Sequence, residues 1–131
     1  MTLVQKAATV FGAVFVVVGI LGFVPAFTPD GHLLGIFEVN GVHNIIHLVS
    51  GVAALALSRT HKNARLYFQV FGIVYGLVAL LGVFYGDNDL LGIVAHNVAD
   101  IFLHLIITTA ALYFGFGTPR DETPAVESSA P

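Results

Sequence analysis

The chain contains no cysteine and few charged residues, and both scarcities narrow its class. With no cysteine among 131 residues, it forms no disulfide, thiolate metal site, iron–sulfur cluster or thiol nucleophile. Only 10% of its residues are charged, whereas soluble domains average about 25%, which disfavours a water-soluble globule. Five Lys and Arg against eight Asp and Glu leave no basic patch, which argues against nucleic-acid binding. The sequence also lacks a phosphate loop, a dinucleotide fingerprint and a Ser-His-Asp pattern.

Apolar residues are abundant and form four runs long enough to cross a bilayer. They make up 56% of the chain, and the mean hydropathy is +0.89. A membrane-spanning helix needs about 20 residues, and the runs predict spans over 7–27, 42–58, 66–86 and 92–115. Helices are favoured because their backbone hydrogen bonds are satisfied within each segment. The predicted fold is therefore all-α, an integral membrane four-helix bundle forming one domain over residues 1–117.

Two segments outside these runs have their own interpretations. Residues 28–41 include the apolar stretch Leu33–Val39, which is too short to span and predicts an interfacial or re-entrant segment at the outer surface. Residues 118–131 contain Pro, Ser and Glu without periodicity, which predicts a disordered cytoplasmic tail.

The charged residues separate into two groups along the chain. The basic ones precede helix one, link helices two and three, or follow helix four: Lys6, Arg59, Lys62, Arg65 and Arg120. The other two loops carry only acidic charge: Asp30, Glu38, Asp87 and Asp89. The positive-inside rule then predicts that both termini lie in the cytoplasm and that the acidic loops face outward.

Short matches between the two halves indicate a duplicated two-helix hairpin. The matched pairs are Val18–Gly22 with Val78–Gly82, Leu33–Ile36 with Leu90–Ile93, and His43-Asn44 with His96-Asn97. Two hairpins with the same orientation are related by an axis along the membrane normal. This repeat predicts that helices two and four are equivalent and face each other.

Helices two and four each carry one narrow polar stripe. At 100° per residue, His43, Asn44 and His47 share one face of helix two. The same reasoning places His96, Asn97, Asp100 and His104 on one face of helix four. Polar stripes avoid lipid and therefore point into the bundle. The two stripes predict an outward-facing site between helices two and four.

The residue types in the stripes favour a metal. The candidate ligands are His43, His47, His96, Asp100 and His104, a set that suits Zn, Cu or Fe. Asn44 and Asn97 are predicted to orient these ligands. Haem bound by His47 and His104 is a second cofactor hypothesis. Asp100 favours function, because a carboxylate inside a span must be paired, protonated or liganded and no predicted span contains Lys or Arg.

Other interpretations of the same residues remain open. The stripes are also typical of hydrogen bonds that hold helices together, for example His43 with Asn97 and Asn44 with His96. Proton or ion handling is a third interpretation. On helix three, Gly72-x-x-x-Gly76 and Gly82-x-x-x-Gly86 favour close contact within the bundle, with dimerisation as the alternative. His32 and His61 are predicted to be solvated loop residues.

The polar motifs resemble those of a family of small bacterial four-helix membrane proteins, domain of unknown function family 4383. The resemblance rests on the segment His43-Asn-Ile-Ile-His47-Leu48 and on Asn97-Val-Ala-Asp100 followed by Leu103-His104. It implies a four-span fold in a bacterial plasma membrane and no particular activity. His96 departs from the family pattern, in which an apolar residue is common at that position.

These observations lead to two functional hypotheses of different classes. The first is a small membrane protein that binds a transition metal ion, or haem, in the His/Asn/Asp site. The second is a non-catalytic accessory or assembly subunit of a larger membrane complex. The lipid bilayer is the expected surrounding, with a homo-oligomer or complex as the expected assembly and no nucleic-acid partner. Enzymatic activity is undecided, because no catalytic residue or substrate is indicated.

Overall fold

The computed structural model describes residues 1–121 and contains four α-helices in this range. They are α1 Leu3–Leu21, α2 Gly41–Leu57, α3 His61–Tyr85 and α4 Val98–Phe116. A small antiparallel hairpin, β1 His32–Leu33 and β2 Phe37–Glu38, lies between α1 and α2. The predicted all-α helical bundle is confirmed.

Three of the helices, α1, α3 and α4, are long and apolar enough to cross a membrane. The fourth, α2, has 17 residues and is about 25 Å long, which is near the lower limit for a span. Large apolar side chains point outward along the bundle, such as Phe84 at 81% exposure and Val10 at 64%. An apolar surface this extensive is expected of a protein that lies in a lipid bilayer.

The helices do not begin where the apolar runs begin, because polar caps decide their starts. Thr2 and Gln5 form a capping box that starts α1 at Leu3, earlier than the predicted span. Thr60 caps α3, so this helix begins at His61 rather than at residue 66. The start of α4 moves the other way, from residue 92 to Val98, after the Asn97 cap. Ahead of that cap, Leu91 and Gly92 have φ of 52° and 73°, which no α-helix accommodates.

The segment predicted to be interfacial forms a compact structure at one end of the bundle. Two 3₁₀ turns over Pro25–Phe27 and Pro29–Gly31 lead into the hairpin, in which Leu33 pairs with Phe37. Leu33 is buried, whereas Leu34 is exposed at a φ of 55°. The apolar residues of this segment are therefore divided between the end of the bundle and its surroundings.

The opposite end is closed around His61. The prediction of a solvated His61 is wrong, since this side chain is 6% exposed. Its Nδ1 lies 2.9 Å from Thr2 Oγ1, and its Nε2–H donates to the Pro119 carbonyl at 2.9 Å. The start of the predicted tail is thereby held against α1 and α3. The rest of that tail, residues 122–131, lies outside the described residues.

The bundle is built from two closely packed helix pairs, α1 with α2 and α3 with α4. A methyl group on Gly51 would come within 2.8 Å of the Gly12 carbonyl oxygen, so these two backbones are in direct contact. On α3, Gly72 and Gly76 face Leu112 and Thr108 of α4, so this motif serves contact within the bundle. The α2 and α4 backbones approach each other much less, and side chains fill the space between them.

The lower half of this space, toward His61, is filled by aromatic rings from α1, α3 and α4. The rings of Phe71 and Tyr75 stack at 3.9 Å, and Phe11 and Phe15 stack at 4.4 Å. Phe68 is fully buried and contacts Phe11 and Phe114. Above these rings, toward the hairpin, the interior becomes polar.

The two helix pairs join through matching turns. Asn40 and Asn97 cap α2 and α4 with nearly the same φ and ψ, and each accepts from the backbone N–H three residues on. Asn40 Nδ2 donates to the Ile93 carbonyl, and Asn97 Nδ2 donates to the Ile36 carbonyl. Because Asn40 and Asn97 are equivalent caps, His47 and His104 occupy the same position along α2 and α4, counted from the cap. The predicted alignment of His43 with His96 is absent because His96 precedes α4.

Candidate functional site

Three histidines meet in the interior of the bundle near the hairpin end. His43 and His47 lie one turn apart on α2, and His104 projects from α4. One ring nitrogen from each lies within 4.8 Å of the others. The three side chains are 3%, 7% and 5% exposed, respectively. We refer to His43, His47 and His104 as the histidine triad.

Hydrogen bonds fix the tautomer of His43. Its Nδ1 lies 2.6 Å from the Ala95 carbonyl oxygen, and because a carbonyl only accepts, Nδ1 carries the hydrogen. The Nε2 lone pair of neutral His43 therefore points into the triad, where His47 Nε2 lies 3.1 Å away. A histidine whose outer nitrogen is bound to a backbone carbonyl is typical of a metal ligand.

The triad is incompletely hydrogen-bonded. His104 Nε2 and His47 Nδ1 are buried, and neither has a hydrogen-bond partner. Leaving such an atom buried without a partner costs about 1–3 kcal/mol. Buried polar atoms without a partner are rare in stable proteins. The triad can therefore hold one additional bound group.

Aromatic side chains from the other two helices pack against the triad. The Phe15 ring of α1 stacks on His47 at 5.0 Å, and Tyr75 of α3 meets His104 edge to face at 5.8 Å. Tyr75 is itself held by Ser50, whose Oγ lies 3.0 Å from the phenol oxygen. The sequence patterns do not single out these two rings. The predicted repeat, which aligns Val18 with Val78, also aligns Phe15 with Tyr75, and this is the one sequence signal that relates the two rings.

Asp100 lies near the triad but outside it. The triad is the group of His and acidic residues in 1–121 whose ligand atoms converge, and Asp100 is not a member. Its carboxylate belongs to the capping box of α4, where Oδ2 accepts from the Asn97 N–H at 3.0 Å. The residue is only 2% exposed. It is therefore a buried carboxylate beside the triad.

His96 also lies outside the triad. It precedes α4 and is 1% exposed, and its Nε2–H donates to the Asn88 carbonyl at 2.7 Å. Its Nδ1 is buried without a partner and lies beside Gly82 of α3. The structure thus directs His96 toward α3 rather than toward the ligand atoms of the triad.

The two predicted orienting residues contact backbone rather than imidazole rings. Asn97 caps α4 and donates to the Ile36 carbonyl. Asn44 is 4% exposed and packs directly against Gly22, the residue that follows α1. Within residues 1–121, neither predicted interhelix pair, His43–Asn97 or Asn44–His96, is formed. His43 instead bonds to the Ala95 carbonyl, and Asn97 bonds to the Ile36 carbonyl.

A small cavity lies between Asp100 and two members of the triad. It has a volume of about 100 Å³ and is lined by His43, Asn44, His47 and Asp100 on the bundle side. Residues of the hairpin segment, including Leu33 and Val39, form its outer wall. Such a volume holds about three water molecules.

Comparisons with known proteins identify the family of the chain. No curated protein and no solved structure matches it. A family model described as a domain of unknown function, DUF4383, matches residues 5–117. This match runs from the first turn of α1 through the end of α4 and includes the histidine triad and Asp100. The chain therefore belongs to the domain of unknown function family DUF4383.

Proposed function

We propose that this protein binds a single transition metal ion through His43, His47 and His104. The observation that carries the proposal is the convergence of three buried imidazole nitrogens within 4.8 Å, together with His104 Nε2, which is buried without a hydrogen-bond partner. Neutral imidazole is a good ligand for Zn²⁺, Cu²⁺ and Fe²⁺.

The three ligand nitrogens need to move only a short distance toward one another to hold an ion. Metal–nitrogen bonds of about 2.0–2.1 Å place neighbouring ligand nitrogens roughly 3.3 Å apart. The pair His43 and His47 already has its Nε2 atoms at 3.1 Å. The ligand nitrogens of all three histidines lie within 4.8 Å of one another, so contraction toward the shorter spacing would complete the site. Coordination then replaces the hydrogen bond between His43 and His47, so His47 carries its hydrogen on Nδ1.

The same distances favour an ion over haem. A porphyrin bound by His47 and His104 must lie between their rings, whose centroids are 6.4 Å apart. The His43 ring occupies that region, 4.8 Å from His47 and 5.9 Å from His104. The Phe15 and Tyr75 rings pack against His47 and His104, respectively.

The proposed site faces the outside of a bacterial plasma membrane. All five basic residues lie at the His61 end of the bundle, whereas Asp30, Glu38, Asp87 and Asp89 lie at the hairpin end. The positive-inside rule assigns the His61 end and both termini to the cytoplasm. The triad, near the hairpin end, is then reached from the outer face.

Metal analysis of the purified protein tests the proposal. The full chain in detergent is loaded with Zn²⁺ or Cu²⁺, passed through a desalting column and measured by elemental analysis. We expect one ion per chain in the wild type and less than 0.1, roughly, after His47→Ala or His104→Ala, because two imidazoles bind far more weakly than three.

A matched control separates the triad from histidine content in general. His61→Ala also removes a buried histidine, but from the other end of the bundle, and it should retain one ion per chain. Sub-stoichiometric metal in the wild type, or equal metal in all four proteins, would refute the proposal. The accessory-subunit hypothesis stays a prediction and gains no separate support from the triad.

A further inference from the structure

A second, larger cavity lies beside the triad, between α2 and α3. It has a volume of about 370 Å³ and is lined by all three triad histidines. Apolar side chains such as Ile46, Val78 and Leu81 form much of the remaining wall. The triad presents ring carbons to this space, since its accessible surface is apolar throughout. The α2–α3 cavity therefore suits an apolar occupant, because apolar cavities stay dry.

Two tyrosines hold this cavity open by keeping α2 and α3 apart. Both reach across from α3 to Ser50 on α2. The Tyr67 hydroxyl donates to the Ser50 carbonyl at 2.9 Å, and the Tyr75 oxygen lies 3.0 Å from Ser50 Oγ. The distance between two helix axes depends on the side chains at their contact. These long side chains therefore maintain the gap, and Tyr75 is itself part of the cavity wall.

The cavity opens sideways, onto the surface of the bundle that faces the bilayer. Ile46, Val74 and Leu81 line the cavity, yet they are 38%, 49% and 43% exposed at the outer surface. Helices α2 and α3 belong to different helix pairs, and their backbones approach each other less than those within a pair. A molecule dissolved in the bilayer can therefore enter between these two helices without passing the hairpin.

The size and depth of the cavity match part of a lipid chain. An apolar cavity of about 150 Å³ already binds benzene, and an unfilled cavity destabilises a protein in proportion to its volume. His47 lies about 9 Å below Gly41, where α2 begins, and the hydrocarbon of one leaflet is about 15 Å deep. With the hairpin end outside, the middle of an acyl chain in the outer leaflet lies at the level of the triad.

We propose that the α2–α3 cavity binds the acyl chain of an outer-leaflet lipid, which lies against the imidazole rings of the triad. This inference rests on the proposed function, because it names a lipid as a second ligand of the same site. The chain contacts ring carbons of His43, His47 and His104 and leaves their nitrogens for the ion. It also excludes water from this side of the site, and the apolar shell around a metal controls its access to solvent.

Photolabelling in proteoliposomes tests the proposal. The full chain, without metal, is reconstituted in phosphatidylcholine vesicles that include a phosphatidylcholine with a diazirine at the middle of one acyl chain. Labelled residues are then identified by mass spectrometry. His96 and His104 are diagnostic, because both line the cavity but are only 1% and 5% exposed. We expect label on these two residues and on the outward-facing Leu77, which any surrounding lipid reaches.

A cavity-filling variant separates a bound chain from the surrounding lipid. Val78→Trp places an indole ring in the cavity and should lower the label on His96 and His104 at least fivefold, while the label on Leu77 stays within twofold of the wild type. The matched control is Val83→Trp, the same substitution at an exposed position of α3. It should leave the label on all three residues within twofold.

Ile46→Trp obstructs the cavity from α2 and tests the same expectation if Val78→Trp does not fold. Unlabelled His96 and His104 in the wild type would overturn the proposal, as would wild-type label on both residues in Val78→Trp and Ile46→Trp. If the expected labelling is seen but the elemental analysis finds no metal, the acyl-chain site is supported and the metal site is refuted. The two failures are therefore distinguishable.

Discussion

Replacing His104 with leucine distinguishes two roles of the triad, a metal site and a set of hydrogen bonds that hold the helices together. If the triad exists to bind an ion, the metal-free protein keeps His104 Nε2 buried without a partner. Leucine removes that nitrogen and retains an apolar side chain of similar bulk. The variant should therefore lose metal binding but be more stable than the wild type in the absence of metal. If the triad serves only to hold the helices together, the variant should instead be less stable.

The magnitude follows from two opposing terms. Relief of the unpartnered nitrogen is worth about 1–3 kcal/mol. Loss of the edge-to-face contact with Tyr75, at 5.8 Å, costs about 0.5–1.5 kcal/mol. The net expectation is a gain of about 1 kcal/mol for metal-free His104→Leu. With Zn²⁺ at 100 times its Kd, the wild type should in turn gain about 2.7 kcal/mol, and the variant should gain nothing.

The assay is unfolding in mixed micelles of detergent and SDS, followed by helical circular dichroism, with and without Zn²⁺. The control is His61→Leu, because His61 is equally buried but both of its ring nitrogens are hydrogen-bonded. That variant should lose about 1–3 kcal/mol and keep its response to Zn²⁺. A loss of more than 1 kcal/mol in metal-free His104→Leu would refute the reasoning and favour structural glue.

Three further predictions address the fold and its orientation. Gly51→Ala should lower the free energy of unfolding by about 1–3 kcal/mol in the same assay, because its methyl group meets the Gly12 carbonyl oxygen at 2.8 Å. The control is Gly41→Ala, where the nearest atom is 3.9 Å away, and its stability should change little. Equal losses in the two variants would contradict the backbone contact. Asn40→Ala and Asn97→Ala should each lower the free energy of unfolding by about 1 kcal/mol, because each removes a helix cap. An unchanged unfolding midpoint in both variants would argue against the matching turns. Because the chain has no cysteine, a membrane-impermeant maleimide on intact cells should label Asp89→Cys and leave Lys62→Cys unlabelled; the reverse pattern would invert the orientation.

The sequence was informative about the helices because the signal for a membrane helix is local. A run of about 20 apolar residues identifies a span without knowledge of its neighbours. The period of 3.6 residues likewise places His43 and His47 on one face whatever that face contacts. The period therefore predicts that His43 and His47 lie together, and their neighbour His104 is among the candidates.

The helix starts were less predictable, and the candidate site depended on them. The apolar run from residue 92 predicts helix, but Leu91 and Gly92 have positive φ, and α4 begins only after the Asn97 cap. His96 consequently leaves the helix and turns toward Asn88 and Gly82. Local composition did not reveal this turn, because leucine seldom adopts positive φ.

By itself, the sequence determined that this chain forms membrane-type helices and that its interior polar residues are histidine, asparagine and aspartate. The tertiary structure alone decided which of them meet. Helix rotation and depth are set by contacts distant in sequence, such as Gly12 on Gly51 and Asn97 on Ile36. Those contacts bring His43, His47 and His104 together and leave Asp100 beside them across a small cavity. Coordination depends on distances of a few ångströms, and only the packed helices define distances on that scale.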